Sequence, residues 1–170
     1  MIVVREKELY ERYAARLLAV CLRYVGERSA AEDVLHDTFL KIFGSLGRFD
    51  FRSEPSLYAW MRRIAVNRSI DYLRSRARDT VPLDDNADFE EKEVGEGFSE
   101  KIPPDVLMRF IEELPDGFRT VFNLYCLDGC SHAEIARMLG IKEKTSSSQY
   151  FRARAILAKR INAYLDEQEQ

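Results

Sequence analysis

The stretch Ser131-His-Ala-Glu-Ile-Ala-Arg-Met-Leu-Gly-Ile141 predicts the first half of a helix-turn-helix. Ser131 and Glu134 have the spacing of a capping box, in which a hydroxyl and a carboxylate satisfy amide donors at the helix start. Gly140 can adopt the left-handed conformation that ends a helix, and Ile141 then directs the turn inward. The stretch therefore predicts a capped helix followed by a tight turn.

The residues after this turn predict a second helix with two chemically different faces. At 100° per residue, one face carries Ser146, Tyr150, Ala153, Leu157, Ile161 and Tyr164. The opposite face carries Lys144, Ser148, Phe151, Arg152, Ala155 and Lys159. A core stripe behind a cationic, hydroxylated front is what insertion into the major groove requires. An ordinary helical hairpin could share the stripe, but less readily the cap, the turn and the basic front together.

The charge of the chain is unevenly distributed. Its 170 residues carry a net charge of −3, but residues 1–78 contain 15 Lys and Arg against 10 Asp and Glu. Residues 79–105 contain 2 against 10, and residues 106–170 contain 9 of each. An acidic connector therefore masks a basic first part, so the overall charge does not argue against a nucleic-acid partner.

Composition also narrows the class of protein. A hydrophobic content of 46% is enough to form packed hydrophobic cores. The length of 170 residues suits one or two small domains. We find no apolar run long enough to span a membrane and no signal-peptide pattern. Three cysteines at uneven spacing fit a reducing compartment, so a cytoplasmic location is expected.

Helix signals predict an all-α fold of two small domains joined by a flexible acidic linker. The first three helices are expected from about Glu6 to Val25, from a capping box at 29–32 to about Leu46, and from near Pro55 past Arg78. Residues 80–104 are acidic, with three prolines and two glycines, which is typical of a linker. A second helical set follows from about Asp105.

A second informative segment runs from Phe49 to Arg74, where arginines alternate with aromatic residues. Guanidinium groups can follow phosphates while rings stack on exposed bases, which suits single-stranded nucleic acid. Trp60 and Tyr58 fit either this role or a buried one, since helical aromatics are more often buried. The Asn67 amide can both donate to and accept from a base edge.

Both halves together resemble an extracytoplasmic-function (ECF) sigma factor, a promoter-specificity subunit of bacterial RNA polymerase. Residues 31–41 resemble the helix that docks on the clamp helices of the polymerase, and residues 60–67 resemble the segment that melts the minus-ten element. Residues 114–119 and 127–136 resemble the domain that binds the minus-thirty-five element. The resemblance implies a region 2-like domain over 1–78, an acidic linker over 79–104 and a region 4-like domain over 105–170.

The resemblance also implies roles for particular residues. The upstream promoter element would be contacted by Lys144, Ser147, Ser148, Phe151 and Arg152. The downstream element would be opened and held by Phe51, Trp60, Arg63, Asn67 and Arg68, with one base in a pocket near Asn67 and the 49–56 loop. Core polymerase would be contacted by Asp33, Val34, His36 and Asp37, with Val34 placed, like Phe39, either at the contact or in the core.

The implied partners are core RNA polymerase, through its clamp helices and flap, and promoter DNA, with an anti-sigma factor as a further candidate. No membrane insertion, cofactor or metal is expected. The chain departs from the family pattern at residues 145–149, Thr-Ser-Ser-Ser-Gln, where a valine and a basic residue are common. Ser147 and Gln149 would read bases by neutral hydrogen bonds, and Lys142 is a poor helix cap.

Other kinds of site are weakly indicated. Cys126, Cys130 and His132 supply three zinc ligands, whereas a structural zinc site takes four. The plainer interpretation makes Cys126 a small buried thiol. No nucleophile–base constellation suggests an enzyme. The alternative hypothesis is a two-domain helix-turn-helix regulator that does not join polymerase, although it leaves the arginine–aromatic segment unexplained.

Overall fold

The computed structural model describes residues 2–77 and 101–170, which lie in two separate compact units. Every regular element in these two ranges is helical, which confirms the all-α prediction. The first unit contains α1 (Ile2–Val25), α2 (Arg28–Ser45), a short 3-10 turn (Leu46–Arg48) and α3 (Glu54–Ala77). The second contains α4 (Pro104–Glu112), α5 (Asp116–Phe122), a π-helical turn (Asn123–Leu127), α6 (His132–Leu139) and α7 (Glu143–Gln168). Most of the predicted linker, residues 79–100, lies outside the described residues.

The first unit is a bundle in which each of its three long helices packs on the other two. Leu17 and Tyr24 of α1, Ile42 of α2 and Met61 of α3 are fully buried between them. Burial of each such side chain contributes roughly 1.5–3 kcal/mol through the hydrophobic effect. The hydroxyl of Thr38 is also fully buried, and it donates to the Val34 carbonyl at 2.7 Å. This satisfies its polar group within α2.

The ends of the first helices agree only partly with the sequence prediction. Gly26, with φ of 81°, closes α1 as expected. The predicted capping box at 29–32 is wrong, because the Glu27 carboxylate caps α2 by accepting from the Ser29 and Ala30 amides at 2.8 and 2.7 Å. These bonds favour the charged carboxylate and lower the pKa of Glu27. Glu32 instead pairs with Arg28 at 3.0 Å.

The second unit is organised around the long helix α7. Its apolar core includes Ile111, Phe118, Leu157 and Ile161, which come from α4, α5 and α7. Ile102 is 4% exposed and belongs to the same core, although it falls within the stretch predicted to be a linker. The packed unit therefore begins at or before Ile102, rather than at the predicted residue 105.

A buried arginine holds the start of α5. Arg119 is 4% exposed, and its guanidinium donates to the carbonyls of Glu112 and Leu114 at 3.0 and 3.1 Å. It also pairs with the Asp116 carboxylate at 2.7 Å. Arginine suits this place because its planar group offers five donors and remains charged. The turn between α4 and α5 is thereby tied to the helix that follows it.

Candidate nucleic-acid and polymerase interfaces

The predicted helix-turn-helix is confirmed by α6 and α7. The Ser131 hydroxyl accepts from the Glu134 amide at 3.1 Å, and the Glu134 carboxylate accepts from the Ser131 amide at 2.8 Å. Gly140 ends α6 with φ of 67° and ψ of 34°, in the left-handed region. Lys142 precedes α7 and makes no side-chain cap hydrogen bond, as its residue type predicted. Local signals found in the sequence therefore begin and end α6, whereas α7 begins without a side-chain cap.

The faces of α7 also follow the helical periodicity. Ser146, Ala153, Leu157 and Ile161 are buried, while Tyr150 and Tyr164 are partly buried. The upstream candidates Lys144, Ser147, Ser148 and Phe151 are exposed. Phe151 is 42% exposed, so its ring is available for a contact outside the unit. This face presents cations, hydroxyls and one aromatic ring to solvent.

A shallow cleft lies along the exposed side of the start of α7. It is lined by Lys142, Lys144, Thr145, Ser148, Gln149 and Arg152. Arg152 is only half-exposed. Gln149 is half-buried, and its Oε1 lies 3.8 Å from the position that a Cβ on Gly117 would occupy. Its amide is therefore turned partly toward α5, and Ser147 is the more accessible of the two neutral candidates.

An aromatic cluster that joins the π-helical turn to α6 and α7 was not predicted from the sequence. The ring of Tyr125 is stacked on His132 with centroids 4.5 Å apart, and it lies 4.4 Å from the ring of Tyr150. The Tyr150 hydroxyl is 3.4 Å from the Cys126 sulfur. Burial, with a smaller effect of Cys126, raises the pKa of Tyr150 to about 12. The cluster connects the π-helical turn to both helices of the motif.

The cysteines differ from their predicted surroundings. Cys126 is exposed, so its description as a small buried thiol is wrong, and Cys21 is fully buried instead. Within residues 2–77 and 101–170, no group of three or more His, Cys, Asp or Glu side chains could hold a metal ion. The described helices include none that is long and apolar enough to cross a membrane.

In the first unit, the downstream candidate Phe51 lies in the loop between the 3-10 turn and α3, and Trp60 lies on α3 beside that loop. Phe49 stacks on Trp60 with ring centroids 4.5 Å apart and an interplanar angle of 25°. Phe51 is 52% exposed, and Trp60 is partly exposed. A cavity of about 460 Å³ opens beside this stack, lined by Ser45, Arg48, Phe49, Asp50, Arg52, Ser56 and Trp60. Its wall combines aromatic faces, guanidinium groups and hydroxyls.

The remaining downstream candidates lie further along α3. Arg63 and Asn67 are exposed, and Arg68 is partly exposed and pairs with Asp71 at 3.4 Å. Asn67 does not line the cavity beside Trp60. It lies seven residues further along the helix, which is two turns or about 10 Å. Asn67 is therefore not part of this cavity, although Trp60 and Asn67 share one side of α3, and the base pocket near Asn67 and the 49–56 loop stays a prediction.

Tyr58 has the structural role that the sequence left open. Its ring lies 3.8 Å from the Arg16 guanidinium carbon and is stacked on Tyr13, 5.9 Å away. Both partners belong to α1. Tyr58 therefore joins α1 to α3, whereas Trp60 lies beside the cavity.

The predicted polymerase-binding residues of α2 divide into two groups. Asp33, His36 and Asp37 are exposed. Val34 is 3% exposed and belongs to the core, which is the second of the two places expected for it, and not to the exposed contact surface. Leu40 was not predicted as a contact residue, but it is 59% exposed and lies three residues after Asp37 on the same side of the helix. A leucine among exposed polar positions was the signal that could have found it.

Comparison with known proteins gives two family matches in the same chain. Residues 9–79 match the model of Sigma-70 region 2, and residues 105–157 match the model of Sigma-70, region 4. The ECF RNA polymerase sigma-E factor of Escherichia coli (strain K12) is 32% identical over 164 residues, covering 90% of this chain and 84% of that protein. The RNA polymerase sigma-H factor of Pseudomonas aeruginosa is 29% identical over 169 residues, covering 92% and 86%.

A solved structure has the same fold. The sigma factor RpoE of Bartonella quintana, in complex with the anti-sigma factor NepR, aligns with a TM-score of 0.52 and 22% identity. The alignment covers 90% of this chain and 94% of that one. The sequence matches span both units, and they exclude the alternative of a regulator that does not join polymerase. The chain belongs to the ECF sigma factors of the sigma-70 family, the non-catalytic subunits that direct RNA polymerase to promoter DNA.

Proposed function

We propose that the two units divide promoter recognition between duplex and separated DNA. The second unit contacts the upstream element as a duplex, with the start of α7 in the major groove. The first unit grips the non-template strand of the downstream element and holds it open. The observation that carries this proposal is the exposed aromatic and basic side of α3 with its loop, because aromatic rings beside guanidinium groups suit the stacking of unpaired bases.

The upstream contacts are assigned to Lys144, Ser147, Ser148, Phe151 and Arg152. The exposure of the first four side chains and the cleft beside Ser148 and Arg152 support this assignment. Lysine and arginine supply phosphate contacts that set the register of the helix, and the hydroxyls and the guanidinium can bond to base edges. A phenylalanine can contact the methyl group of thymine.

The downstream contacts are assigned to Phe51, Trp60, Arg63, Asn67 and Arg68. A base that leaves the stack can enter the cavity beside Phe49 and Trp60, whose aromatic wall offers stacking. Asn67, two turns along α3, then contacts a neighbouring base or the sugar-phosphate backbone. Unstacking costs a few kcal/mol, so several of these contacts act together.

The contact with core polymerase is assigned to α2. It is made by Asp33, His36 and Asp37, with Leu40 as an apolar neighbour. Their shared exposure on one helix supports docking on the polymerase clamp helices, and the second unit would meet the flap. The functional boundaries that we propose are 1–78, 79–104 and 105–170, although Ile102 already packs with the second unit. We further assign the chain to the cytoplasm, with an anti-sigma factor as a regulatory partner.

Footprinting of the reconstituted holoenzyme tests this division. Core polymerase with the full chain is bound to a promoter, and DNase protection and permanganate reactivity are measured on the same complexes. Asn67→Ala should lose open thymines while keeping upstream protection, and Ser148→Ala with Arg152→Ala should weaken upstream protection first. Loss of both signals in both variants would contradict the proposal.

A further inference from the structure

A set of contacts between α1 and α3 lies immediately behind the loop assigned to strand capture. We call it the α1–α3 clasp, and it consists of Arg12, Tyr13, Arg16, Glu54 and Tyr58. Tyr13, which is 3% exposed, donates its hydroxyl to the Glu54 carboxylate. The Arg12 guanidinium lies 3.3 Å from the other Glu54 oxygen. The hydrogen bond to Glu54, together with burial, raises the pKa of Tyr13.

The clasp acts at the point where the loop becomes a helix. Glu54 is the first residue of α3 and directly follows Ser53. Ser53 and Ser56 exchange hydrogen bonds between amides and hydroxyls at 3.1 and 3.2 Å, which caps the same helix start. The C-terminal end of the loop is therefore fixed both to its own helix and to α1.

Phe49 connects the clasp to the proposed capture cavity. It lines the cavity that contains Trp60, and it also lines a second cavity of about 230 Å³ bounded by Arg12 and Glu54. Phe49 is thus a common wall of both cavities. Movement of Glu54 away from α1 would open the second cavity and leave Phe49 less supported against Trp60.

We infer that Arg12, Tyr13 and Glu54 are positioning residues for promoter opening, because the clasp holds the loop of residues 49–53 ready to receive an unstacked base. This inference rests on the proposed role of that loop. A loop that is ordered beforehand loses little conformational entropy when it binds. The neutral donor and charged acceptor make the Tyr13–Glu54 bond stronger than an ordinary hydrogen bond, whereas the exposed Arg12 ion pair contributes less.

The single tryptophan of the chain provides a direct readout of the loop. Quenching of Trp60 fluorescence by acrylamide is measured in the full chain, for the wild type and for Tyr13→Phe, Glu54→Ala and Glu54→Gln. We expect easier quenching in Tyr13→Phe and Glu54→Ala, because the Phe49–Trp60 stack loosens. Glu54→Gln should be intermediate, since its amide oxygen can still accept from Tyr13. Glu11→Gln is the matched control, a carboxylate of α1 in an exposed pair with Lys7 at 3.7 Å.

The same variants are then assembled with core polymerase, and the rate of promoter opening is followed by permanganate reactivity. We expect Tyr13→Phe and Glu54→Ala to open at least about tenfold more slowly, given the strength of a hydrogen bond to a charged group. Glu54→Gln should recover part of the rate. Protection of the upstream promoter element and affinity for core polymerase should equal those of the wild type. A variant that had lost its fold would lose both.

Two results would overturn the inference. One is unchanged Trp60 quenching in both Tyr13→Phe and Glu54→Ala. The other is promoter opening at the wild-type rate in Tyr13→Phe and Glu54→Ala, in an experiment where Phe51→Ala opens slowly. Phe51→Ala changes the loop and leaves the clasp intact. If Phe51→Ala and Asn67→Ala, tested as separate variants, both open the promoter normally, the proposed strand-capture role itself is wrong. If Tyr13→Phe does not fold by circular dichroism, Glu54→Gln alone decides the inference by the same two measurements.

Discussion

The Nδ1 atom of His132 lies 2.9 Å from the Oγ atom of Ser146, and this contact joins the first residue of α6 to the start of α7. Ser146 is fully buried, so its hydroxyl needs a partner within the protein. The same imidazole is stacked on Tyr125. The contact therefore fixes how α7 leaves the turn, and with it the direction of the face proposed to enter the major groove.

Replacement of Asn67 by alanine should impair promoter opening after binding. We expect the variant to join polymerase and to protect the upstream element, but to leave few reactive thymines downstream. A template with a pre-melted mismatched bubble should restore opening, because pre-melting removes the unpairing cost that the lost contacts offset. Permanganate footprinting on matched and bubble templates measures both effects.

Asn162→Ala is the matched control for Asn67→Ala. Asn162 is an exposed asparagine near the end of α7, beyond the region 4 match. It should open both templates normally. Wild-type opening by Asn67→Ala on the matched template would make Asn67 an ordinary surface amide.

Replacement of Arg152 by alanine should weaken recognition of the upstream element and leave polymerase binding unchanged. A base-contacting arginine should cost about 1–3 kcal/mol, mostly at one base position. Ser148→Ala should act in the same direction. Competition binding of the holoenzyme to single-base variants of the upstream element measures the effect, with Arg154→Ala, an exposed arginine on the other side of α7, as the cationic control. An equal loss for every upstream sequence would identify Arg152 as a phosphate contact.

The free chain should bind duplex promoter DNA far more weakly than the holoenzyme does. The net charge of −3 and the acidic stretch at 79–105 oppose the approach of DNA. Anisotropy of a labelled promoter duplex at physiological salt measures both affinities. Neutralising Asp84, Asp85 and Asp88 to asparagine should strengthen binding by the free chain. Tight, sequence-specific binding by the unmodified free chain would contradict this prediction.

Replacement of Arg119 by methionine should destabilise the second unit. The carbonyls of Glu112 and Leu114 would lose their guanidinium donor, and unsatisfied buried groups of this kind cost about 1–3 kcal/mol. Urea denaturation of the full chain measures the loss. Arg137→Met, at an exposed arginine of α6, should leave the midpoint nearly unchanged. Equal midpoints for the two variants would show that the Arg119 contacts contribute no net stability.

The stability of the second unit should fall at alkaline pH through Tyr150. Its pKa is raised to about 12 in the folded protein, against an ordinary value of 10.0, so the folded state holds this proton more tightly. The resulting stability is fully present below about pH 10 and is lost as pH rises toward about 12. Tyr150→Phe should have a shallower decline over this window in denaturation monitored by circular dichroism. If stability declines with pH equally steeply in the wild type and in Tyr150→Phe, Tyr150 is not the source of the alkaline loss of stability.

Local signals predicted the elements of this fold well. The capping box at Ser131 and Glu134 is present, and Gly140 has the predicted left-handed conformation. Both signals depend only on residues within about one helical turn. The buried and exposed faces of α7 follow from its periodicity for the same reason. The Ser29–Glu32 signal failed because Glu27, two residues earlier, accepts from the Ser29 amide that the Glu32 carboxylate would take in a capping box.

The sequence by itself determined the helical class, the two-part organisation, the recognition helix and the family, since these are carried by periodicity, caps and motif order. Tertiary packing alone decided which residues on each helix remain available. It buried Val34, left Leu40 exposed, and separated Asn67 from the cavity beside Trp60. It also brought Tyr13 to Glu54 across 41 residues of sequence. Such contacts depend on how three helices pack against one another, and no local pattern encodes that arrangement.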